Sequence, residues 1–127
     1  MTIIPTIDRI DALASEYADK SPNEILALAL SQQGEIAISF SGAEDVVLID
    51  MASHLGKPFR VFSLGTGSLH AGTYQFIEKV RQHSNIDIEI CFPETEAIQQ
   101  LTTEKGLFSF YRDGHQECCG IRKVQPL

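Results

Sequence analysis

The sequence predicts an α/β fold, a parallel sheet with helices on both faces. Three observations carry that expectation. From about residue 35 onward, short apolar runs of strand character alternate with longer runs at helical spacing, the order that builds parallel sheets through βαβ crossovers. Ile86-Asp87-Ile88-Glu89-Ile90-Cys91 alternates apolar and polar residues, the two-residue period of a strand. Ser21-Pro22-Asn23-Glu24 places the serine, proline and glutamate of a capping box ahead of an apolar run, which marks a helix start.

The elements follow in order. From about Thr6 to Ala18, residues Ile7, Ile10, Leu13, Ala14 and Tyr17 recur at helical spacing. The capped helix runs through Ile25, Leu26, Leu28 and Leu30, with Gly34 as its terminator. Glu35–Phe40 reads as a short strand. Val46, Val47, Leu48, Ile49 and Met51 then read as a buried helix ending at Gly56. Arg60–Leu64 is a second strand, and Gly65-Thr66-Gly67-Ser68 leads into a helix from about Ala71 to His83. Ile86–Cys91 is the third strand, and a helix of roughly ten residues follows Pro93. One domain is expected over residues 1–127, with a helical lead-in at 1–33, a βα core at 35–104 and a cysteine-bearing tail at 105–127. The tail has weak periodicity and ends on Pro126-Leu127, so the domain is expected to be incomplete at its C-terminus.

Composition narrows the function. Ten basic residues against seventeen acidic give a formal charge of −7, which lacks the basic footprint of a nucleic-acid binder. Apolar runs of about five residues fall far short of the roughly twenty that span a bilayer. Pro5 and Asp8 interrupt the N-terminus, so it does not read as a secretory signal. Three cysteines, two of them adjacent, make no disulfide framework and suit a reducing, cytoplasmic compartment.

In open parallel sheets, ligands bind beyond the carboxyl ends of the strands. Ser39-Phe40-Ser41-Gly42-Ala43-Glu44-Asp45 occupies such a position. Its backbone N–H groups and hydroxyls suit an anion at a helix start, or it is a plain turn whose carboxylates cap the helix. It is not a Walker loop, since no G-x-x-x-x-G-K-[ST] occurs. Leu64-Gly65-Thr66-Gly67-Ser68-Leu69-His70 begins like a dinucleotide fingerprint but has His70 at the third glycine. His70 is either a phosphate or acid group or a structural residue. Cys118 and Cys119 lie among His115, Arg122 and Lys123, surroundings that favour thiolates and suit zinc or an iron–sulfur cluster. A zinc site on His115, Cys118 and Cys119 lacks an evident fourth ligand, and two unligated thiols are the other reading. Cys91 reads as a small apolar residue, and Phe108, Phe110 and Tyr111 as core or interdomain packing.

Taken together, Ser39–Asp45, Leu64-x-Thr66-Gly67, Lys105-Gly106-Leu107-Phe108 and Cys118-Cys119-Gly120-Ile121-Arg122-Lys123 resemble the assimilatory sulfonucleotide reductases. The likeness is nearest to cluster-containing adenylyl-sulfate (APS) reductases, related to phosphoadenylyl-sulfate (PAPS) reductases. It implies the adenine nucleotide α-hydrolase-like (PP-loop) fold shared with ATP pyrophosphatases. It further implies that Ser39, Phe40, Ser41, Gly42, Ala43, Glu44 and Asp45 face the phosphosulfate, and that Leu64, Gly65, Thr66 and Gly67 lie beside the nucleotide. Cys118 and Cys119 would ligate a [4Fe–4S] cluster, with zinc or no metal as alternatives, and Lys123 would link cluster and substrate electrostatically. In the family, a cysteine near the C-terminus attacks the sulfur of adenylyl sulfate, AMP leaves, and a thioredoxin or glutaredoxin-type reductant releases sulfite.

The sequence departs from the family pattern at Gly65, where the family has Asp, at Ser68, where it has Arg, and at Ala71-Gly72, where it has Pro-Glu. The family's second cysteine pair, later basic residues and nucleophilic cysteine have no match in these 127 residues, so the chain by itself is expected to be inactive. Two other readings stay open: an ATP pyrophosphatase-type enzyme using ATP and magnesium, and a truncated nucleotide-binding module without catalysis. An unfinished sheet edge would also favour a homo-oligomer.

Overall fold

The computed structural model describes residues 6–32 and 36–127. The elements run α1 (Ile7–Tyr17), α2 (Pro22–Gln32), β1 (Ala37–Ser39), α3 (Asp45–His54), β2 (Arg60–Leu64), α4 (Ala71–Ser84), β3 (Ile88–Cys91), α5 (Thr95–Lys105), α6 (Ser109–Asp113) and α7 (Gln116–Cys119). A π-helical turn, Gly120–Val124, closes the series. The capping box forms as expected: the Ser21 N–H donates to Glu24 Oε2 at 2.9 Å and the Glu24 N–H to Ser21 Oγ at 3.3 Å. The Gly34 terminator and the first strand residue, Glu35, lie outside the described residues.

The three strands form a parallel sheet in the order β1-β2-β3. Ile38, Val61 and Ile88 stand in one row across it, and Ser39, Phe62 and Glu89 in the next. Alternate rows face opposite sides. The first row joins the core, where Leu30 of α2, Ile49 and Ala52 of α3 and Val80 of α4 pack with Ile38, Phe40 and Val61. On the other side, Ala37, Phe62 and Cys91 line a shallow cavity of about 270 Å³ that Leu127 also borders. The Arg60 guanidinium forks onto the Glu89 carboxylate at 2.9 and 2.7 Å. Leu101 of α5 is buried apart from the main core, and α5 packs against the π-helical turn. The predicted α/β class and parallel sheet are present.

Four differences stand out, three with a physical cause. β1 is shorter than the predicted strand, although Phe40 continues its ladder by donating to the Phe62 carbonyl at 2.8 Å. Phe40 is buried, its ring edge-on to Phe76 at 5.8 Å. β3 begins at Ile88 because the Ile86 N–H belongs to the end of α4 and donates to the Arg81 carbonyl at 3.2 Å. That cap depends on Asn85, in the left-handed region at φ 49°, which asparagine tolerates.

The helix expected to be buried is buried on one side only. Ile49 and Ala52 of α3 are 0% exposed, whereas Val47 is 60% and Leu48 43% exposed. The tail holds two short helices and the π-helical turn, none longer than five residues, too brief to display a 3.6-residue period. At the opposite end, α1 has no buried residue. No helix among the described residues is long and apolar enough to cross a membrane.

The contrast within α3 is measurable by denaturant unfolding. Ile49→Ala is expected to cost about 2–5 kcal/mol, and Val47→Ala no more than about 0.5 kcal/mol. Equal effects would refute the one-sided burial.

Candidate functional site

Parallel pairing sets the carboxyl ends of β1, β2 and β3, at Ser39, Leu64 and Cys91, along one edge of the sheet. The first loop folds around Asp45. Its Oδ2 accepts the Ser41 N–H at 2.7 Å, the Gly42 N–H at 2.8 Å and the Ser41 hydroxyl at 3.2 Å. These donors, the Ser41 and Gly42 amides first, hold the Asp45 carboxyl below its ordinary value. Of the two readings left open by the sequence, this geometry is that of a turn closed by its own carboxylate. The Ser41 and Gly42 amides serve Asp45.

The second loop extends the sheet by one bond, from the Gly65 N–H to the Cys91 carbonyl at 3.0 Å. A Cβ at Gly65 would lie 2.6 Å from Phe92 Cε1 and 2.7 Å from Ile90 Cγ2, so only a bare backbone fits beneath that ring. Thr66 is buried and its hydroxyl accepts the Ser68 N–H at 3.3 Å. Gly67 takes φ +79°, the left-handed conformation open to glycine. His70 is exposed at the start of α4, where its carbonyl accepts the Thr73 N–H at 2.9 Å.

Polar bonds fold the tail back towards this loop. Lys105, ending α5, pairs with Glu117 of α7, and the Arg112 guanidinium donates to the Lys105 carbonyl. Glu117 raises the Lys105 pKa. Cys118 and Cys119 are half-buried free thiols on α7, where the Cys119 N–H donates to the His115 carbonyl at 2.7 Å. In the following turn, Arg122 Nη1 donates to the Thr66 carbonyl at 2.6 Å.

Two cavities meet at this contact. The first, about 400 Å³, brings Thr66 and Ser68 together with Cys118, Cys119, Arg122 and Lys123. The second, about 340 Å³, lies between Gly65, Thr66 and Gly67 on one side and Phe92 and Arg122 on the other. Thus Gly65, Thr66, Gly67, Cys118, Cys119 and Lys123 converge, whereas Ser39–Asp45 and Leu64 do not line either cavity.

The aromatic residues read as core or interdomain packing are not part of the core: Phe108 is 68% and Tyr111 81% exposed, and both border the first cavity. Their spacing is interrupted by the start of α6 at Ser109, which is itself the buried residue. Phe92 was not singled out by sequence, and Arg122 was read only as a charge beside the cysteines. Arg122 lay in plain view within the cysteine motif, but its partner is 56 residues away.

Two thiols are half of a four-thiolate set. Among the described residues, no group of three or more His, Cys, Asp or Glu side chains is placed to hold a metal. These residues therefore do not complete a [4Fe–4S] cluster or a His115–Cys118–Cys119 zinc site.

Residues 35–127 match the phosphoadenosine phosphosulfate reductase domain. The chain belongs to that family. Among its curated relatives is an adenosine 5'-phosphosulfate reductase of Pseudomonas aeruginosa, 58% identical over 93% of this chain and 45% of the relative. A probable 5'-adenylylsulfate reductase 1, chloroplastic, of Oryza sativa is 56% identical over 97% of this chain and 26% of its own. The chain thus spans about half or less of the length of these reductases. A solved structure of phosphoadenylyl-sulfate reductase from Candida auris, a phosphate complex, superposes with a TM-score of 0.83. It covers 99% of this chain and 62% of its own at 23% identity, which shows a shared fold.

Two outcomes test the loops of this family member. The depressed Asp45 pKa means that its bonds stabilise the fold above the unfolded carboxylate pKa and are lost as pH falls through the folded value. Asp45→Asn should cost about 1 kcal/mol at neutral pH, and the difference should shrink as pH is lowered through the folded carboxyl pKa, measured by urea unfolding as a function of pH. Gly65→Ala should cost about 1–3 kcal/mol through overpacking, and adding Phe92→Ala should recover part of it, the Ile90 contact remaining. A fully additive double variant would dissociate Gly65 from the ring.

Proposed function

We propose that this chain forms the nucleotide-binding portion of an enzyme that reduces adenylyl sulfate to sulfite and AMP in sulfate assimilation, with PAPS as a possible alternative substrate. The observation that carries the reading is the convergence of Thr66 and Ser68 of the second loop with Cys118, Cys119 and Lys123 around one cavity, in a chain whose relatives are named for that reduction. Residues 1–127 are read as one nucleotide-binding α/β unit. Leu64, Gly65, Thr66 and Gly67 are assigned to the nucleotide side, and Ser39–Asp45 to the neighbouring anionic end, which an anion would occupy only by displacing the Asp45 carboxylate from the Ser41 and Gly42 amides. Lys123 is exposed at the first cavity, where its charge attracts the phosphosulfate. Cys118 and Cys119 are assigned as two of four thiolate ligands of a [4Fe–4S] cluster, the other two coming from outside these residues.

The chemistry proposed is covalent. A cysteine thiolate attacks the sulfur of adenylyl sulfate, a sulfur–sulfur bond forms, and the bond from sulfur to the AMP oxygen breaks. A dithiol reductant of the thioredoxin or glutaredoxin type then attacks the cysteine sulfur. Sulfite leaves with the sulfur–sulfur electron pair, and the dithiol ends as a disulfide. Neither Cys91, half-buried on the sheet, nor the Cys118–Cys119 pair is assigned this attack, which falls to a cysteine beyond this chain. A cytoplasmic location follows from the same reading of thiol chemistry.

Anaerobic calorimetric titration of the chain tests the proposal, with adenylyl sulfate, PAPS, ATP–magnesium and AMP compared. Tightest binding of adenylyl sulfate is expected. A preference for ATP–magnesium would support an ATP pyrophosphatase-type enzyme instead, and no binding by a folded chain would leave a non-catalytic module. Lys123→Ala should weaken adenylyl sulfate about fivefold at low salt, with the difference shrinking as salt rises. An equal loss for AMP would separate Lys123 from the phosphosulfate.

A further inference from the structure

Arg122 is where the cysteine segment and the glycine loop touch. It follows Cys119 by three residues, in a π-helical turn, a distortion often found at functional sites. Its Nη1–Thr66 carbonyl bond of 2.6 Å joins residues 56 apart in the chain. A Cβ at Gly67 would stand 3.2 Å from the same Nη1, so the glycine leaves the guanidinium its room. Thr66 and Arg122 are the residues common to the linings of the two cavities. They form the partition between them.

The contact is not arranged for the arginine's own benefit. Arg122 Nε is buried and has no hydrogen-bond partner among the described residues. An unpaired buried donor is costly and uncommon. An arginine serving stability alone would be expected to pair it. A lysine would reach one carbonyl as a point charge, without the planar fork that fixes direction.

We infer that Arg122 is a positioning residue. It holds the Thr66–Gly67 peptide in the conformation that partitions the site, and it makes the placement of that peptide depend on the placement of the cysteine-bearing turn. This role differs from that of Lys123, which lines the first cavity and makes no hydrogen bond to the loop among the described residues. The consequence for ligand binding rests on the proposed reading of the Gly65–Ser68 loop, whereas the latch itself is a property of the fold.

The test compares the chain with Arg122→Ala and Arg122→Lys by amide hydrogen exchange, with Ile49 and Val61 as core references. Arg122→Ala should raise exchange at Thr66, Gly67 and Ser68 on the order of tenfold, with the core amides unchanged, and Arg122→Lys should restore part of the protection. Calorimetry with adenylyl sulfate should show about tenfold weaker binding for Arg122→Ala and a smaller loss for Arg122→Lys. Unchanged exchange at residues 66–68 overturns the inference, as does raised exchange with undiminished adenylyl sulfate affinity. If the wild-type chain binds no nucleotide but its loop exchange responds to Arg122, the latch stands and only the functional reading falls. If Arg122→Ala also exposes the core amides, Arg122→Lys decides: local loss at 66–68 supports the latch, and none overturns it.

Discussion

Strand β2 is paired on both sides, and its parallel register is the constraint from which the rest follows. With Val61 between Ile38 and Ile88, one row of branched side chains faces α2, α3 and α4, and the chain must leave all three strands at the same edge. The first two loops and the Phe92 turn are neighbours for that reason, although up to about fifty residues of sequence separate them. Parallel strands demand crossovers, and each crossover here returns the backbone to the edge where helix starts and spare amides collect. The chemistry of the site is therefore housed by topology before any particular side chain is chosen.

The tail is attached by different forces. The core is apolar, but α5, α6 and α7 are tied together by the Lys105–Glu117 pair, the Arg112–Lys105 carbonyl bond and, at the loop, Arg122. Such bonds are directional and individually modest. They define where α7 sits without sealing it into a core, which leaves the thiols half-buried and the rim of aromatic residues open to solvent. Rigid sheet and polar-tethered tail meet at one arginine.

Most of the architecture was legible because it obeys short-range rules. The capping box at Ser21 and Glu24 is a local device, and the strand at Ile88–Cys91 announced itself by alternation. Where reading failed, a contact outside the window decided. Ile86 looks like strand but is claimed by the α4 cap through Asn85. Val47 and Leu48 look like core because hydropathy does not say which face of a helix meets the sheet. Phe108 and Tyr111 have core-like spacing, yet Ser109 is the residue that is buried. The motif around Cys118 and Cys119 identified the family, but the role of Arg122 depends on a carbonyl in a distant loop. The loop at Ser41 was legible both as a set of amide donors and as a turn closed by its own carboxylates, and three dimensions show the amides donating to Asp45.

The first helix stands apart from all of this. α1 contributes no fully buried residue, only the half-buried Leu13 and Tyr17, and isolated helices shorter than about 12–15 residues are marginal in water. By that burial, α1 is expected to open at lower free energy than the sheet. Amide exchange there should then report a local helix–coil equilibrium, with global unfolding registered from α2 onward. On that expectation the cooperative boundary of the molecule falls at the capping box.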